Sequence, residues 1–154
     1  MKLSTVTMFV AIATAVMITA AFASPEKGLE IAIEADSRDK GFGDSTAQIT
    51  MILMDKYGQS TERTIRNRTF EGYNEGDKSL VIFDSPGDVR GTAFLSHTKK
   101  ADSDDQWLYL PALKRVKRIA SSNKAGPFMG SEFSYEDIAS QEVEKYTYNY
   151  LRDE

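Results

Sequence analysis

Residues 78–98 read KSLVIFDSPGDVRGTAFLSHT, and the architecture follows from this stretch. Residues 78–84 and 92–98 are rich in β-branched and aromatic side chains, which favour extended strands. Between them, the sequence SPGD at residues 85–88 has the composition of a turn. Strand, turn and strand at this spacing predict two neighbouring antiparallel strands.

The same succession of strand-like runs and turns continues on both sides of this stretch. A short amphipathic helix is predicted at residues 29–36, and Ser134 with Asp137 three residues later has the pattern of a second helix start. The whole pattern predicts an α+β fold, a mostly antiparallel sheet with one or two helices. Further strands are predicted at residues 48–54, 60–70, 106–110, 114–119 and 143–151.

Several of these strands carry apolar residues on both of their faces. In residues 49–54, 80–83 and 107–110, odd and even positions are both largely apolar. An antiparallel sheet with one face in water instead alternates apolar and polar residues. Each face must therefore be covered by something apolar. Helices cover one face, and the other requires a second sheet, a closed barrel or an apolar ligand.

The composition excludes several classes of protein and site. The chain has 154 residues, which is the length of one ordinary domain. It has no cysteine, which excludes a disulfide scaffold, a thiolate metal site and a cysteine nucleophile, and one histidine, His97, which excludes a centre of several histidines. A net charge of −4 argues against nucleic acid as the main partner.

The N-terminal residues 1–23 have the pattern of a cleavable signal peptide. Lys2 supplies the positive end, residues 6–18 supply the apolar segment, and the sequence AFA at 21–23 matches a signal peptidase site. We predict cleavage after Ala23, a domain over residues 24–154 and a periplasmic location. The alternative is an uncleaved membrane anchor.

No motif predicts catalysis, a metal site or a cofactor. His97 has no nucleophilic serine in a Gly-x-Ser-x-Gly elbow, so an exposed strand histidine is the favoured interpretation. Asp102 to Asp105 resemble part of a calcium loop but lack its glycine and its terminal glutamate. We therefore expect a protein that is not an enzyme.

One basic cluster lies within this acidic sequence. Such runs are usually a solvated face, and the functional alternatives are contacts with an anionic lipid headgroup, a membrane surface or an acidic partner. The cluster comprises Lys114, Arg115, Lys117 and Arg118.

Two segments carry a resemblance to a known family. Residues 105–119 contain Trp-x-Tyr-x-Pro, and residues 128–138 contain Gly-Ser-x-Phe-x-Tyr-Glu-Asp. Together they resemble the outer membrane lipoprotein-sorting proteins of the LolA-like superfamily. The resemblance implies a curved antiparallel half-barrel with helices over its concave side and lipid bound between them. Family domains continue with further strands beyond this point, so we expect this chain to hold an incomplete, C-terminally truncated half-barrel.

The resemblance implies a periplasmic carrier of lipid or lipoprotein acyl chains, passing cargo toward the outer membrane or to a membrane exporter. Its partners would be an inner-membrane exporter and an outer-membrane acceptor, and Leu53→Glu is expected to abolish lipid binding. The alternatives are an exported structural or protein-interaction module, or a non-functional fragment of a carrier. The basic cluster is the predicted headgroup or partner contact. The predicted lipid-binding residues are Met51, Leu53, Ile82, Phe94, Trp107 and Tyr109.

Overall fold

The computed structural model describes residues 24–154. The predicted signal peptide at residues 1–23 lies outside the described residues. The described part opens with one α-helix, α1, at Pro25–Arg38. The Ser24 side chain caps this helix by accepting a hydrogen bond from the Lys27 backbone N–H, and Pro25 occupies the first turn. The predicted helix therefore forms, with an extra turn at its N-terminal end.

Six antiparallel strands follow α1 and pair in chain order as a meander. Strands β1 and β6 each have a neighbour on one side only, so the described sheet is open. A helix and an open antiparallel sheet agree with the α+β half-barrel architecture that the sequence predicts. The strands are β1 Asp44–Met54, β2 Ser60–Phe70, β3 Lys78–Ser85, β4 Ala93–His97, β5 Asp105–Leu110 and β6 Arg115–Ile119.

The predicted second helix at Ser134 does not form. The Asp137 carboxylate accepts hydrogen bonds at 2.8 Å from both the backbone N–H and the hydroxyl of Ser134. This contact closes a local turn, and Ser134 also bridges to Pro127 as an extended residue. These are the reciprocal contacts of a capping box, but the backbone N–H groups of Tyr135 and Glu136 donate to the Gly126 and Lys124 oxygens, and only a single turn follows.

The predicted last strand at 143–151 is also wrong. Residues Val143–Lys145 form a 3-10 helix, and beyond it only Tyr150 pairs, in a single antiparallel bridge with Ser24. Strand propensity depends on having a neighbouring strand to pack against. Here the neighbour is the start of α1, so the alternating tyrosines do not extend the sheet. Further 3-10 helices lie at Pro111–Leu113, Ser121–Asn123 and Phe128–Gly130.

The core lies on one face of the sheet, beneath the segment that follows β6. Phe83 and Phe94 from the strands are fully buried against Phe128, whose ring meets that of Phe94 at 5.3 Å. Tyr135 packs edge-on against Phe128 at 5.4 Å, and its backbone oxygen accepts a hydrogen bond from Gln106. The irregular segment 120–140 thus covers this face, where helices were expected.

Helix α1 does not add to this cover, since it has no buried residue and packs against the C-terminal chain at Val143–Lys145 and Tyr150. Within residues 24–154, no helix combines the length and the apolar character that crossing a membrane requires.

Candidate functional site on the open face of the sheet

Strand register separates the side chains of the sheet into two faces. Val81 lies opposite Phe94, and Phe94 lies opposite Leu108, and all three are buried. We call this side, covered by residues 120–140, the packed face. The other side is the open face. Because side chains alternate along each strand, register assigns every strand residue to one face or the other.

Two rows of apolar cross-strand neighbours cross the centre of the open face. In the first row, Leu80 lies opposite Leu95, and Leu95 lies opposite Trp107. The second row passes from Ile82 through Ala93 and Tyr109 to Val116, which lies on the edge strand. We call these seven residues the apolar strip. Its members are Leu80, Ile82, Ala93, Leu95, Trp107, Tyr109 and Val116.

No residue of the apolar strip is buried. Val116 is 64% exposed and Tyr109 37% exposed, and the remaining members are half-buried. Scattered exposed apolar residues are normal on a folded protein, but a contiguous apolar patch marks a site that another apolar surface covers. The strip therefore has the character of a binding surface.

Ion pairs flank the apolar strip on two sides. Beside Ile82, Arg66 donates hydrogen bonds of 2.7 and 2.9 Å to the two carboxylate oxygens of Asp84, which lowers the pKa of that carboxyl. Beside Trp107, Lys99 at 2.8 Å and Arg118 both pair with Asp105. Hydrogen bonds from these two cations lower the pKa of Asp105 to about 2. Both pairs stay charged at neutral pH and mark a polar rim.

A shallow groove lies at the end of the strip where β2 ends and β3 begins. Its volume is about 480 Å³, and Phe70, Leu80 and Leu95 form its apolar wall. Arg68, Lys78 and His97 line the same groove. The His97 ring meets the Trp107 ring edge-on at 5.2 Å, which connects the groove to the first row of the strip.

The structure divides the six predicted lipid-binding residues between the two faces. Ile82, Trp107 and Tyr109 lie together on the open face, within the apolar strip. Met51 and Leu53 lie on the packed side. They are two and four residues beyond Ile49, which lies opposite buried Ile65. Phe94 is 0% exposed at the centre of the packed core. A single ligand on one face contacts at most three of the six.

The predicted basic cluster is also divided. Arg115 and Lys117 lie on the packed side of edge strand β6, where Lys117 is opposite Leu108. Arg118 lies on the open face and pairs with Asp105. Lys114 occupies the left-handed turn before β6, with φ of 48°. The four cations therefore do not form one site.

Sequence reasoning missed Leu80, Leu95 and Val116, and the cations Arg68 and Lys78 of the groove. The alternation of side chains along each strand could have identified the three apolar residues, because it fixes which residues share a face. In β4, Ala93, Leu95 and His97 share one face, and this alternation identifies the partners of Trp107 once the strand pairing is known. Among residues 24–154, no three histidine or acidic side chains are placed to hold a metal ion.

Comparisons with known proteins give two solved structures of similar fold. The chain is 59% identical to an outer membrane lipoprotein-sorting protein domain from Vibrio parahaemolyticus, with a TM-score of 0.82 over 85% of this chain and 55% of that one. It is 32% identical to a DUF1329 family protein from Desulfovibrio piger ATCC 29098, with a TM-score of 0.74 over 81% and 53% of the two chains. The chain spans about half the length of both structures.

A family model described as an uncharacterized protein matches residues 75–154. This match includes β3 to β6, and so the whole apolar strip, together with the segment that covers the packed face. No curated protein matches the chain.

Proposed function

The chain belongs to the family of uncharacterized proteins whose model matches residues 75–154 and has the LolA-like fold of an outer membrane lipoprotein-sorting protein domain, and from this we propose that it is a carrier that binds the acyl chains of a lipid or lipoprotein. The carrier works in the periplasm after removal of a signal peptide. It performs no covalent chemistry, and it delivers its cargo toward the outer membrane or to a membrane exporter.

The observation that carries this proposal is the apolar strip on the open face. Its two rows are contiguous across four strands, and no segment of residues 24–154 buries any of the strip's members. An acyl chain laid on this surface leaves water, which contributes about 0.8 kcal/mol for each CH₂ group buried. A bound chain therefore supplies apolar cover for the open face, as residues 120–140 do for the packed face.

The proposed mechanism of transfer follows from the openness of the site. Trp107 and Tyr109 present large apolar surfaces that need no side-chain rearrangement to contact an acyl chain. Because nothing in the described part of the chain closes over the strip, a partner with a better apolar surface can take the cargo directly. Transfer then depends on the difference in acyl-chain affinity between the two surfaces.

The proposal is tested by the lipid content of a matched pair of leucine variants. Leu95 lies at the centre of the strip, and Leu113 is an exposed leucine, 62% accessible, outside it. We expect Leu95→Glu to lose co-purifying lipid, since a carboxylate under an acyl chain is costly to desolvate. Leu113→Glu is expected to keep it. Native mass spectrometry with organic extraction measures both, and circular dichroism confirms that each variant is folded.

Two results would contradict the carrier. A wild-type protein that purifies without lipid, and takes up none from vesicles, has no acyl-chain site. A lipid-free dimer whose association is broken by Leu95→Glu but not by Leu113→Glu would instead identify the strip as a protein-interaction surface, which is the alternative that the sequence leaves open.

A further inference from the structure

Two basic residues of the groove have no acidic partner. Within residues 24–154, Arg68 and Lys78 lie in no ion pair, whereas Arg66, Lys99 and Arg118 around the strip are each paired with an aspartate. Arg68 and Lys78 are also exposed, so their charges are available to a ligand. The groove thus differs in charge from the rest of the rim.

Strand register brings these two cations together at the end of the apolar strip. Lys78 lies directly opposite His97, and Arg68 lies opposite Leu80, the first residue of the strip. Arg68 and Lys78 are therefore diagonal neighbours on the same face, about 7–8 Å apart at their Cα atoms. Their long side chains can converge on one anionic group between them.

The charge of the groove runs against that of the whole protein. The chain has 23 acidic and 19 basic residues, a net charge of −4. Asp44 is the acidic residue that lines this groove, and it lies on β1 opposite Phe70, which separates it from Lys78 along the row. A local excess of positive charge beside an apolar surface is complementary to a molecule with an anionic head and an apolar tail.

We propose that Arg68 and Lys78 bind the net negative headgroup of an anionic phospholipid, with the acyl chains lying on the apolar strip from Leu80 toward Trp107. This assignment rests on the proposed carrier function and adds the headgroup chemistry of its cargo. It also moves the headgroup contact away from the basic cluster at 114–118, whose members Arg115 and Lys117 lie on the opposite side of the sheet.

The fluorescence of Trp107 reports directly on lipid bound at the strip, because Trp107 is the only tryptophan of the chain and lies in the strip. Phospholipids with brominated acyl chains quench a tryptophan that they contact. Wild-type protein is titrated with vesicles of brominated phosphatidylglycerol, which is anionic, and with vesicles of brominated phosphatidylcholine, which is zwitterionic. We expect Trp107 to be quenched by both lipids, and at a lower concentration by phosphatidylglycerol.

The test variant is Arg68→Gln with Lys78→Gln, and the matched control is Arg115→Gln with Lys117→Gln. Each double variant removes two positive charges, from the open face in the test pair and from the packed side of β6 in the control pair. A basic residue at an anionic surface contributes about a fivefold factor in binding, so the test pair is expected to weaken phosphatidylglycerol binding about thirtyfold. Its binding of phosphatidylcholine is expected to stay unchanged, which also reports that the variant is folded. The control pair is expected to behave like the wild type.

Several results would overturn the assignment. Equal quenching of the wild type by both lipids shows that lipid binds without headgroup recognition, which leaves the carrier intact. A loss of phosphatidylglycerol binding in the control as large as in the test pair shows a general effect of net charge. Loss of phosphatidylcholine binding in the test pair shows that Arg68 and Lys78 do not distinguish an anionic headgroup from a zwitterionic one. Quenching of the wild type by neither lipid overturns the carrier function together with this assignment.

Discussion

At the scale of single residues, Phe94 shows how a side chain can match a binding-site pattern and belong to the core. It is 0% exposed and its ring contacts those of Phe128 at 5.3 Å and Tyr135 at 5.6 Å. Its partners come from the segment after β6, which no local pattern in β4 reveals. The packed aromatic cluster explains its burial without any ligand.

Replacing Phe94 with alanine tests this placement. We expect Phe94→Ala to lower the free energy of unfolding by about 3–5 kcal/mol, because it opens a cavity among packed rings. Phe133, which is 53% exposed, provides the control, and Phe133→Ala is expected to change stability by less than about 0.5 kcal/mol. Urea unfolding measures both. A variant that keeps its stability but loses bound lipid would place Phe94 in a binding cavity.

Asp105 is the residue whose ionisation the structure perturbs most clearly on the open face. Hydrogen bonds from Lys99 and Arg118 lower its pKa from 3.8 to about 2 in the folded protein. The unfolded chain therefore takes up this proton at a higher pH than the folded one. The stabilisation from these pairs is present above about pH 4 and is lost as the pH falls toward 2.

This linkage predicts a pH-dependent effect of Asp105→Asn. The variant is expected to melt at a lower temperature than the wild type at pH 6, and the difference is expected to shrink as the pH falls through the interval from 4 to 2. Thermal unfolding followed by circular dichroism measures it. Asp102, an exposed aspartate of the preceding loop, serves as the control. A difference that is the same at pH 6 and pH 2 would exclude a role for the ionised carboxylate.

At the scale of elements, the turn between β2 and β3 lies close against the chain at Thr98 and Glu142. Gly76 has a φ of 101°, and a Cβ there would lie 2.8 Å from both the Thr98 backbone oxygen and the Glu142 carboxylate. Glu142 is buried in this contact, and burial raises the pKa of its carboxyl. A glycine is thus required both by the backbone conformation and by the close approach of two other elements.

Gly76→Ala is expected to destabilise the protein by more than about 1 kcal/mol, since the native conformation is strained for alanine and the space is occupied. Gly87 lies in another turn, where an added Cβ would have no neighbouring atom within 4 Å, so Gly87→Ala is the matched control. Urea unfolding of the two variants compares them. Equal stabilities would show that the contact with Thr98 and Glu142 relaxes at no cost.

Edge strand β6 explains the basic cluster in structural terms. Its residues Arg115, Lys117 and Arg118 are exposed, and the strand pairs only with β5 among the described residues. Charged side chains on an edge strand oppose unwanted pairing with other chains. The density of positive charge in this part of the sequence therefore follows from the position of the strand in the sheet.

At the scale of the whole molecule, the question is which side of the sheet holds the cargo. The packed face carries Met51 and Leu53, and the open face carries the apolar strip with Leu95 at its centre. We expect Leu95→Glu to remove bound lipid and Leu53→Glu to retain it. Native mass spectrometry of the two variants decides between the faces. The opposite result would place the cargo on the packed side, as the sequence-based choice of Leu53 predicts.

Local sequence was sufficient to predict most of the elements of this protein. Helix α1 and all six strands were predictable, because turn residues and strand propensity act over a few neighbouring positions. The alternation of side chains was readable as well, and with it the conclusion that both faces of the central strands are apolar. The two wrong elements, at 134–137 and 143–151, are those whose backbone is held by residues distant in the chain.

The choice of which apolar face became the core and which stayed open was made by tertiary packing. When a strand is apolar on both sides, its sequence does not indicate which side is buried. Ile82, Phe94 and Trp107 therefore could not be assigned to a face from the pattern. The choice is made when Phe128 and Tyr135 pack onto Phe94, a contact between residues more than thirty positions apart. Likewise, Arg68 and Lys78 become neighbours only through the pairing of β2 with β3. Local sequence carries no record of these contacts, because their energy comes from burial between separate elements.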